Sequence, residues 1–197
     1  MTTDAAEAAG PRVVEQRGLY FDELEEDVVY AHRPGRTVTE TDNVLFTTMT
    51  MNTQALHLDA AWSAGQPFGQ RLMNSMFTLA TVVGQSVPQL TQGTIVAQLG
   101  MTDVSFPHPL YHGDTLYTET IVTGKRLSSS RPGQGVVTLK HTGRNQHGDV
   151  VALATRSCLM WTRAAHTAAQ DENSERIETA GKESALKERA QEGRIDT

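Results

Sequence analysis

The sequence predicts an α+β fold, one curved antiparallel sheet against one long helix, and three observations carry that prediction. Residues 71–87 form a run that is apolar around most of a helix circumference, as a helix buried on more than one side must be. Four strand-like segments follow it with no further helix between them. Extended pieces and short helices precede it, so the pattern is not the strict strand–helix alternation of a parallel sheet. At 197 residues and 38% hydrophobic content, the chain can hold one domain with a substantial core.

The elements follow in order. Val28–Tyr30 and Arg36–Val38 read as extended pieces on either side of a Pro34–Gly35 turn. Thr39, with Asp42 three residues later, is a capping pair that opens a helix from Glu40 to Met49. A second short helix is expected over Thr53–Ser63, and Gly65, Pro67 and Gly69 make Ala64–Gln70 a loop or lid. The long helix, Arg71–Val87, places Leu72, Met76, Leu79 and Val83 on one face and Met73, Phe77, Ala80 and Gly84 on the adjoining one. Pro88 is expected to close it. The strands are Thr94–Phe106, Asp114–Leu127, Gly135–Arg144 and Val150–Arg163, the last three a meander. Gly100 in the first of them marks a bulge or a close backbone approach.

Composition divides the chain into three. Residues 1–12 are expected to be a disordered arm and residues 13–163 the folded domain. Residues 164–197 hold Ile177, Leu186 and Ile195 as their only large apolar side chains, so a disordered or weakly helical tail is expected there. No internal repeat is visible. The net charge of −6 and the lack of a basic run argue against nucleic acid as a partner. No apolar run reaches the length of a membrane span, and the first residues, with Asp4 and Glu7, lack the apolar core of a signal peptide. A cytoplasmic protein without membrane association is the expectation. The single Cys158 reads as a buried structural thiol. The seven histidines are scattered without metal-ligand spacing, His108 and His112 reading as loop residues, so no metal site is expected.

The stretch with the most chemistry is Asn52-Thr53-Gln54-Ala55-Leu56-His57-Leu58-Asp59, followed by Phe68-Gly69-Gln70-Arg71-Leu72-Met73-Asn74-Ser75 at the start of the long helix. A polar amide stands five residues before a histidine, and a glycine-containing loop then leads into the apolar helix. This layout resembles the active-site segment of MaoC-like hydratases, the (R)-specific enoyl-CoA hydratase branch of the hotdog fold, whose pattern is Asp-x-Asn-Pro-Leu/Ile-His-x-Asp. His57 and Asp59 match that pattern. Asn52 departs from it, standing where a carboxylate is usual, and Gln54-Ala55 replace Asn-Pro. Thr50-Met51-Asn52 with His57, then Asn74-Ser75 and the upstream Thr39–Asn43, further resemble the mesaconyl-CoA hydratase (beta-methylmalyl-CoA dehydratase) subgroup. The resemblance covers about Gly18 to Thr162.

The resemblance implies a single hotdog per chain, its sheet wrapped around the central helix, assembled as a homodimer or a higher assembly of dimers. It implies reversible hydration of a short branched enoyl-CoA, with a dicarboxylic, mesaconyl-like acyl group as the finer expectation. His57 then activates water and Asn52 orients it. The backbone N–H groups of Ser75 and Gly100 hold the thioester oxygen, helped by the helix N-terminus. Asn74 is a further side-chain donor, and Arg131, in the Ser128–Gly135 loop, pairs with a CoA phosphate or a substrate carboxylate. Lys125 and Arg126 are weaker phosphate candidates. Asp42 reads as a cap and Asp59 as a hydrogen-bonding helix residue. No cofactor beyond the CoA carrier is expected. Plainer roles stand beside these: an exposed polar His57, a helix-start Ser75, a β-bulge at Gly100, a solvated loop at Arg131. Two other functions stay open. A noncatalytic acyl-CoA-binding subunit fits because an amide at Asn52 cannot exchange a proton as a carboxylate does. A hotdog thioesterase fits less well, because that chemistry wants a carboxylate near the thioester.

Overall fold

The computed structural model describes residues 11–192, with side chains as far as residue 182. Five strands make one antiparallel sheet: β1 (Val29–Thr37), β2 (Ile95–Ser105), β3 (Thr115–Leu127), β4 (Gln134–Arg144) and β5 (Val150–Trp161). Their spatial order is β1-β3-β4-β5-β2, so β1 and β2 are the two edges. Helix α1 (Glu40–Met49) and the short helices α2 (Ala55–Leu58) and α3 (Ala60–Ala64) lead to the central helix α4 (Ser75–Leu90). Helix α5 (Arg163–Glu192) follows β5. This is the expected α+β hotdog, a sheet wrapped on one helix.

Alternation along the strands decides which side chains face α4. Leu116, Thr118, Thr120 and Val122 of β3 are buried in step with Val137, Leu139, His141 and Gly143 of β4. At Gly143 an added Cβ would lie 2.5 Å from Cγ2 of Val82, so the missing side chain lets α4 approach the sheet there. Two apolar clusters flank the crossing. One gathers Phe21, Leu24, Leu90, Val122 and Met160 among others; the second gathers Val38, Met73, Phe77, Val82 and Leu116 among others.

Between them lies a buried polar layer. Thr120 Oγ1 is 2.8 Å from both His32 Nε2 and His141 Nδ1, and His32 Nδ1 donates to Gln89 Oε1 at 2.8 Å. Arg156, also buried, donates from Nε to Cys158 Sγ at 2.9 Å. Burial, reinforced by the charges of Arg156 and His32, pushes His141 down to about 3. Burial lowers His32 as well.

Several elements depart from expectation. The Pro34–Gly35 turn is a bulge inside one continuous β1, with pairing resuming at Arg36↔Leu116. Gly35 lies under the Tyr117 ring, where a Cβ would come within 2.4 Å of a ring carbon. The expected helix over Thr53–Ser63 is split, because Asp59 is extended and its carboxylate accepts from Trp62 N as the cap of α3. The long helix starts at Ser75, not Arg71. Leu72 pairs with Tyr111 in a β-bridge, and Leu72 N and Met73 N donate to the carbonyls of Leu56 and Leu110. Pro88 sits inside the last turn, and Thr91 N still donates to Val87 O. Each apolar face is buried only in part: Met73 and Phe77 are buried, whereas Ala80 and Gly84 on the same face, and Met76 on the other, are exposed.

Cys158 is buried, as expected. Residues 163–192 form α5, anchored by His166 stacked on Trp161 with ring centroids 5.6 Å apart. The expectations for residues 1–10 and 193–197 lie outside the described residues. Among the described residues no helix is long and apolar enough to cross a membrane.

Candidate active site

The sequence around the start of α4 folds onto one buried amide, Asn43. A mid-helix asparagine is disfavoured unless its side chain has work to do. Here Asn43 is fully buried on α1, and its Oδ1 accepts from the backbone N–H of Asn74 at 2.8 Å. That contact fixes the amide's orientation, because an N–H can only donate. Nδ2 therefore faces three acceptors: the carbonyl of His57 at 3.0 Å, the carbonyl of Leu72 at 3.1 Å and Nε2 of His112 at 3.0 Å. Burial first, and the Arg71 guanidinium second, lower His112, which suits the neutral ring this contact needs. Arg71 is itself ion-paired with Glu40.

The His57 ring is set by the same carbonyl. Nδ1 lies 3.0 Å from Leu72 O. A carbonyl only accepts, so Nδ1 carries the proton and Nε2 keeps a lone pair. No side chain or backbone group among the described residues bonds to Nε2. His57 is thus a buried imidazole with one nitrogen locked and the other free to take a proton.

Asn74 and Ser75 open α4. Asn74 Oδ1 caps the helix through Met76 N at 2.9 Å, and Nδ2 donates to Thr47 Oγ1 at 3.2 Å. Asn74 thus holds α1 to α4, and one of its two Nδ2 hydrogens has no partner among the described residues. Ser75, the first helical residue, has no partner for its backbone N–H among the described residues, as the first turn of a helix leaves such groups open. It lies in the wall of a cleft of about 190 Å3, with Leu72, Thr78, Phe106 and His108.

The remaining expected residues are divided. Asn52 sits in the turn before α2, its Oδ1 accepting from Gln54 N at 3.0 Å. Neither Asn52 nor His57 is in the cleft wall, although His57 bonds to Leu72, which is. Gly100 lies beside a bulge on the edge strand β2 and is not in that wall either. Arg131 lines a different groove, of about 240 Å3, with Arg126, Ser128, Ser130 and Leu99. Within one chain, Gly100 and Arg131 therefore lie outside the cleft that Ser75 lines. Lys125 is tied to the N-terminal segment, its Nζ donating to the carbonyls of Phe21 at 3.2 Å and Leu24 at 2.6 Å. Asp42 completes the capping box of α1 and pairs with Arg36, and Asp59 caps α3, both as expected.

Two residues stand nearer the site than the sequence placed them. Asn43 left a signal, an amide in mid-helix where propensity disfavours it. His108 left only its flanking prolines; its Nδ1 donates to Val150 O at 3.1 Å, and it stands in the Ser75 cleft.

The profile of the family described as MaoC like domain matches residues 23–145. Mesaconyl-CoA hydratase of Haloarcula marismortui is 29% identical over 131 residues, covering 66% of this chain and 36% of that protein. The chain thus spans little more than a third of that relative. The crystal structure of a monoamine oxidase regulatory protein from Archaeoglobus fulgidus superposes with a TM-score of 0.68 at 28% identity, covering 76% of this chain and 99% of the other. A double hotdog protein of Mycobacterium tuberculosis superposes with a TM-score of 0.66 at 28% identity, covering 74% of this chain and 44% of the other.

Proposed function

We propose, starting from a chain that belongs to the MaoC-like domain family, that it is an acyl-CoA hydro-lyase acting on a short branched enoyl-CoA. A dicarboxylic, mesaconyl-like acyl group is the preferred substrate. The reading rests on one observation above the others: His57 has Nδ1 locked on Leu72 O and Nε2 without a partner among the described residues, and Leu72 is shared with the cleft that Ser75 lines. The name of the Haloarcula relative supports the choice of acyl group.

Hydration adds water across the double bond conjugated to the thioester. His57 Nε2 takes a proton from water as its oxygen attacks the β-carbon. Electron density moves to the thioester oxygen, where the Ser75 N–H and the positive end of α4 stabilise it. The protonated His57 then returns a proton to the α-carbon, and the sum is one water gained. Asn52 orients the water without exchanging a proton. No group beyond the CoA carrier takes part in this scheme.

Gly100 and Arg131 enter from a second copy of the chain, Gly100 as a further N–H donor and Arg131 as a phosphate or carboxylate partner. The active assembly in this reading is a homodimer. The unpaired side of β2, with Leu99 and Val104 exposed, supports it.

The test is incubation of the purified protein with mesaconyl-CoA, itaconyl-CoA and crotonyl-CoA, with mass spectrometry for the gain of one water. Preference for a branched dicarboxylic ester is expected. Hydration of crotonyl-CoA alone would remove the substrate assignment and keep the reaction. Binding without hydration of any ester would favour the noncatalytic subunit, which Asn52 makes the second reading.

A further inference from the structure

The wall of the Ser75 cleft is mostly apolar, with Phe68, Met73, Phe106 and Leu110 among its residues. Three polar side chains interrupt it. The Thr78 hydroxyl is already engaged with Asn74 O at 3.3 Å, and Ser75 belongs to the helix terminus that receives the thioester oxygen. The third is His108, the one titratable side chain in that wall among the described residues. Its Nδ1 is fixed on Val150 O at 3.1 Å. Pro107 and Pro109 on either side restrict the backbone, and the exposed ring is oriented by its contact with Val150 O. Nε2 has no partner among the described residues. With Nδ1 donating to Val150 O, a proton taken up at Nε2 as the ligand binds makes the ring a cation, and the partner that a cationic donor selects is a carboxylate. At about 190 Å3 the cleft is below the roughly 300–1,000 Å3 of sites that enclose a drug-sized ligand, which suits a short acyl end rather than the whole ester.

We infer that His108 is the specificity-determining residue of the cleft and that it binds a carboxylate at the far end of the acyl group. The inference rests on the acyl-CoA reading of the same site.

The experiment measures binding of two saturated esters, succinyl-CoA and butyryl-CoA, to the full chain and to its H108N and H108Q variants by titration calorimetry. Both acyl groups have four carbons, only one ends in a carboxylate, and neither can be hydrated, so the result does not depend on turnover. Wild type should bind succinyl-CoA more tightly. H108N keeps a donor for Val150 O and loses Nε2, so its preference should fall by roughly tenfold to a hundredfold, the range for a lost hydrogen bond to a charged group. H108Q, which carries a neutral donor near the Nε2 position, should retain part of the preference, and it serves as the test should H108N not fold. Equal binding of the two esters by wild type, or a preference unchanged in both variants, overturns the inference even if enoyl-CoA hydration is found. A preference that depends on His108, with no hydration of any enoyl-CoA, supports the inference and overturns the proposed reaction. No binding of either ester overturns both.

Discussion

The side-chain amide of Asn43 donates to the backbone carbonyl of His57 at 3.0 Å while its oxygen receives the N–H of Asn74 at 2.8 Å. One buried side chain thereby ties the candidate base to the start of α4. Asn43→Ala would leave the Asn74 N–H without its acceptor and the His57 carbonyl without its donor. A loss of about 2–4 kcal/mol is expected, from two buried groups at about 1–3 kcal/mol each, partly relaxed. Urea denaturation measures it. A loss under about 0.5 kcal/mol would mean that water replaces the amide at little cost.

His57→Ala should lower kcat for hydration by roughly 10²–10⁴-fold, the usual contribution of a positioned acid/base group, with much less effect on KM. Steady-state kinetics on the preferred ester decides it. Wild-type turnover in the variant would end the assignment of His57.

Ser75 is expected to act through its backbone, so its side chain is the wrong thing to remove. Ser75→Pro deletes the N–H at a helix position that proline tolerates, and Asn74, at φ −61 and ψ 125, already has the conformation a following proline requires. The helix should survive with a similar melting temperature. Turnover should fall by roughly 10²–10³-fold, as when one oxyanion donor is lost. Ser75→Ala should stay close to wild type, and equal losses in both variants would shift the role to the hydroxyl.

Asn52 supports its turn by accepting from Gln54 N at 3.0 Å, which a carboxylate can also do. Asn52→Asp should therefore fold normally and restore a second proton-exchanging group. Crotonyl-CoA hydration is expected to rise at least roughly tenfold, the lower side of acid/base contributions. An unchanged rate, measured at the same pH, would show that position 52 only positions water.

Stability should fall with acid. Burial pushes His141 down to about 3 and lowers His32, so both rings are neutral in the fold at pH values where the unfolded chain would protonate them. The unfolded state then binds more protons, and stability rises with pH through that window. The contribution of His141 is fully present above the ordinary histidine value and is lost as pH falls toward about 3. For His141 the slope between the two values is at most roughly 1.4 kcal/mol per pH unit. His141→Gln, which cannot protonate, should flatten the profile between about pH 6 and pH 4 in urea titrations. A parallel profile would mean that other groups govern acid unfolding.

The parts of the fold that depend on period and punctuation were legible in the sequence. The capping pair at Thr39 and Asp42 gave α1 its observed limits, and the meander follows the long β-branched runs. The parts that depend on tertiary competition were not. Leu72 has a helical place in the apolar pattern but a bridge partner in Tyr111, and the bridge wins, moving the start of α4 to Ser75. The site shows the same division. His57 and Ser75 stood out through the resemblance of their motif to the MaoC-like segment, whereas nothing local to Asn74 reveals that its amide donates to Thr47. The separation of Gly100 and Arg131 from the cleft depends on which strands become edges, and spacing along one chain does not encode that.

The carbonyl of Leu72 receives two hydrogen bonds, from His57 Nδ1 and from Asn43 Nδ2, and both go to the main chain. Position 72 is therefore tolerant in one sense and intolerant in another. Exchanging leucine for another apolar side chain leaves the carbonyl, and hence the protonation pattern of the imidazole, where it is. Removing or adding a single residue between Ala64 and Arg71 does the opposite: it keeps every chemical group and turns the carbonyl away. The vulnerability of this site is one of chain length, and indels in that loop should inactivate more reliably than substitutions within it.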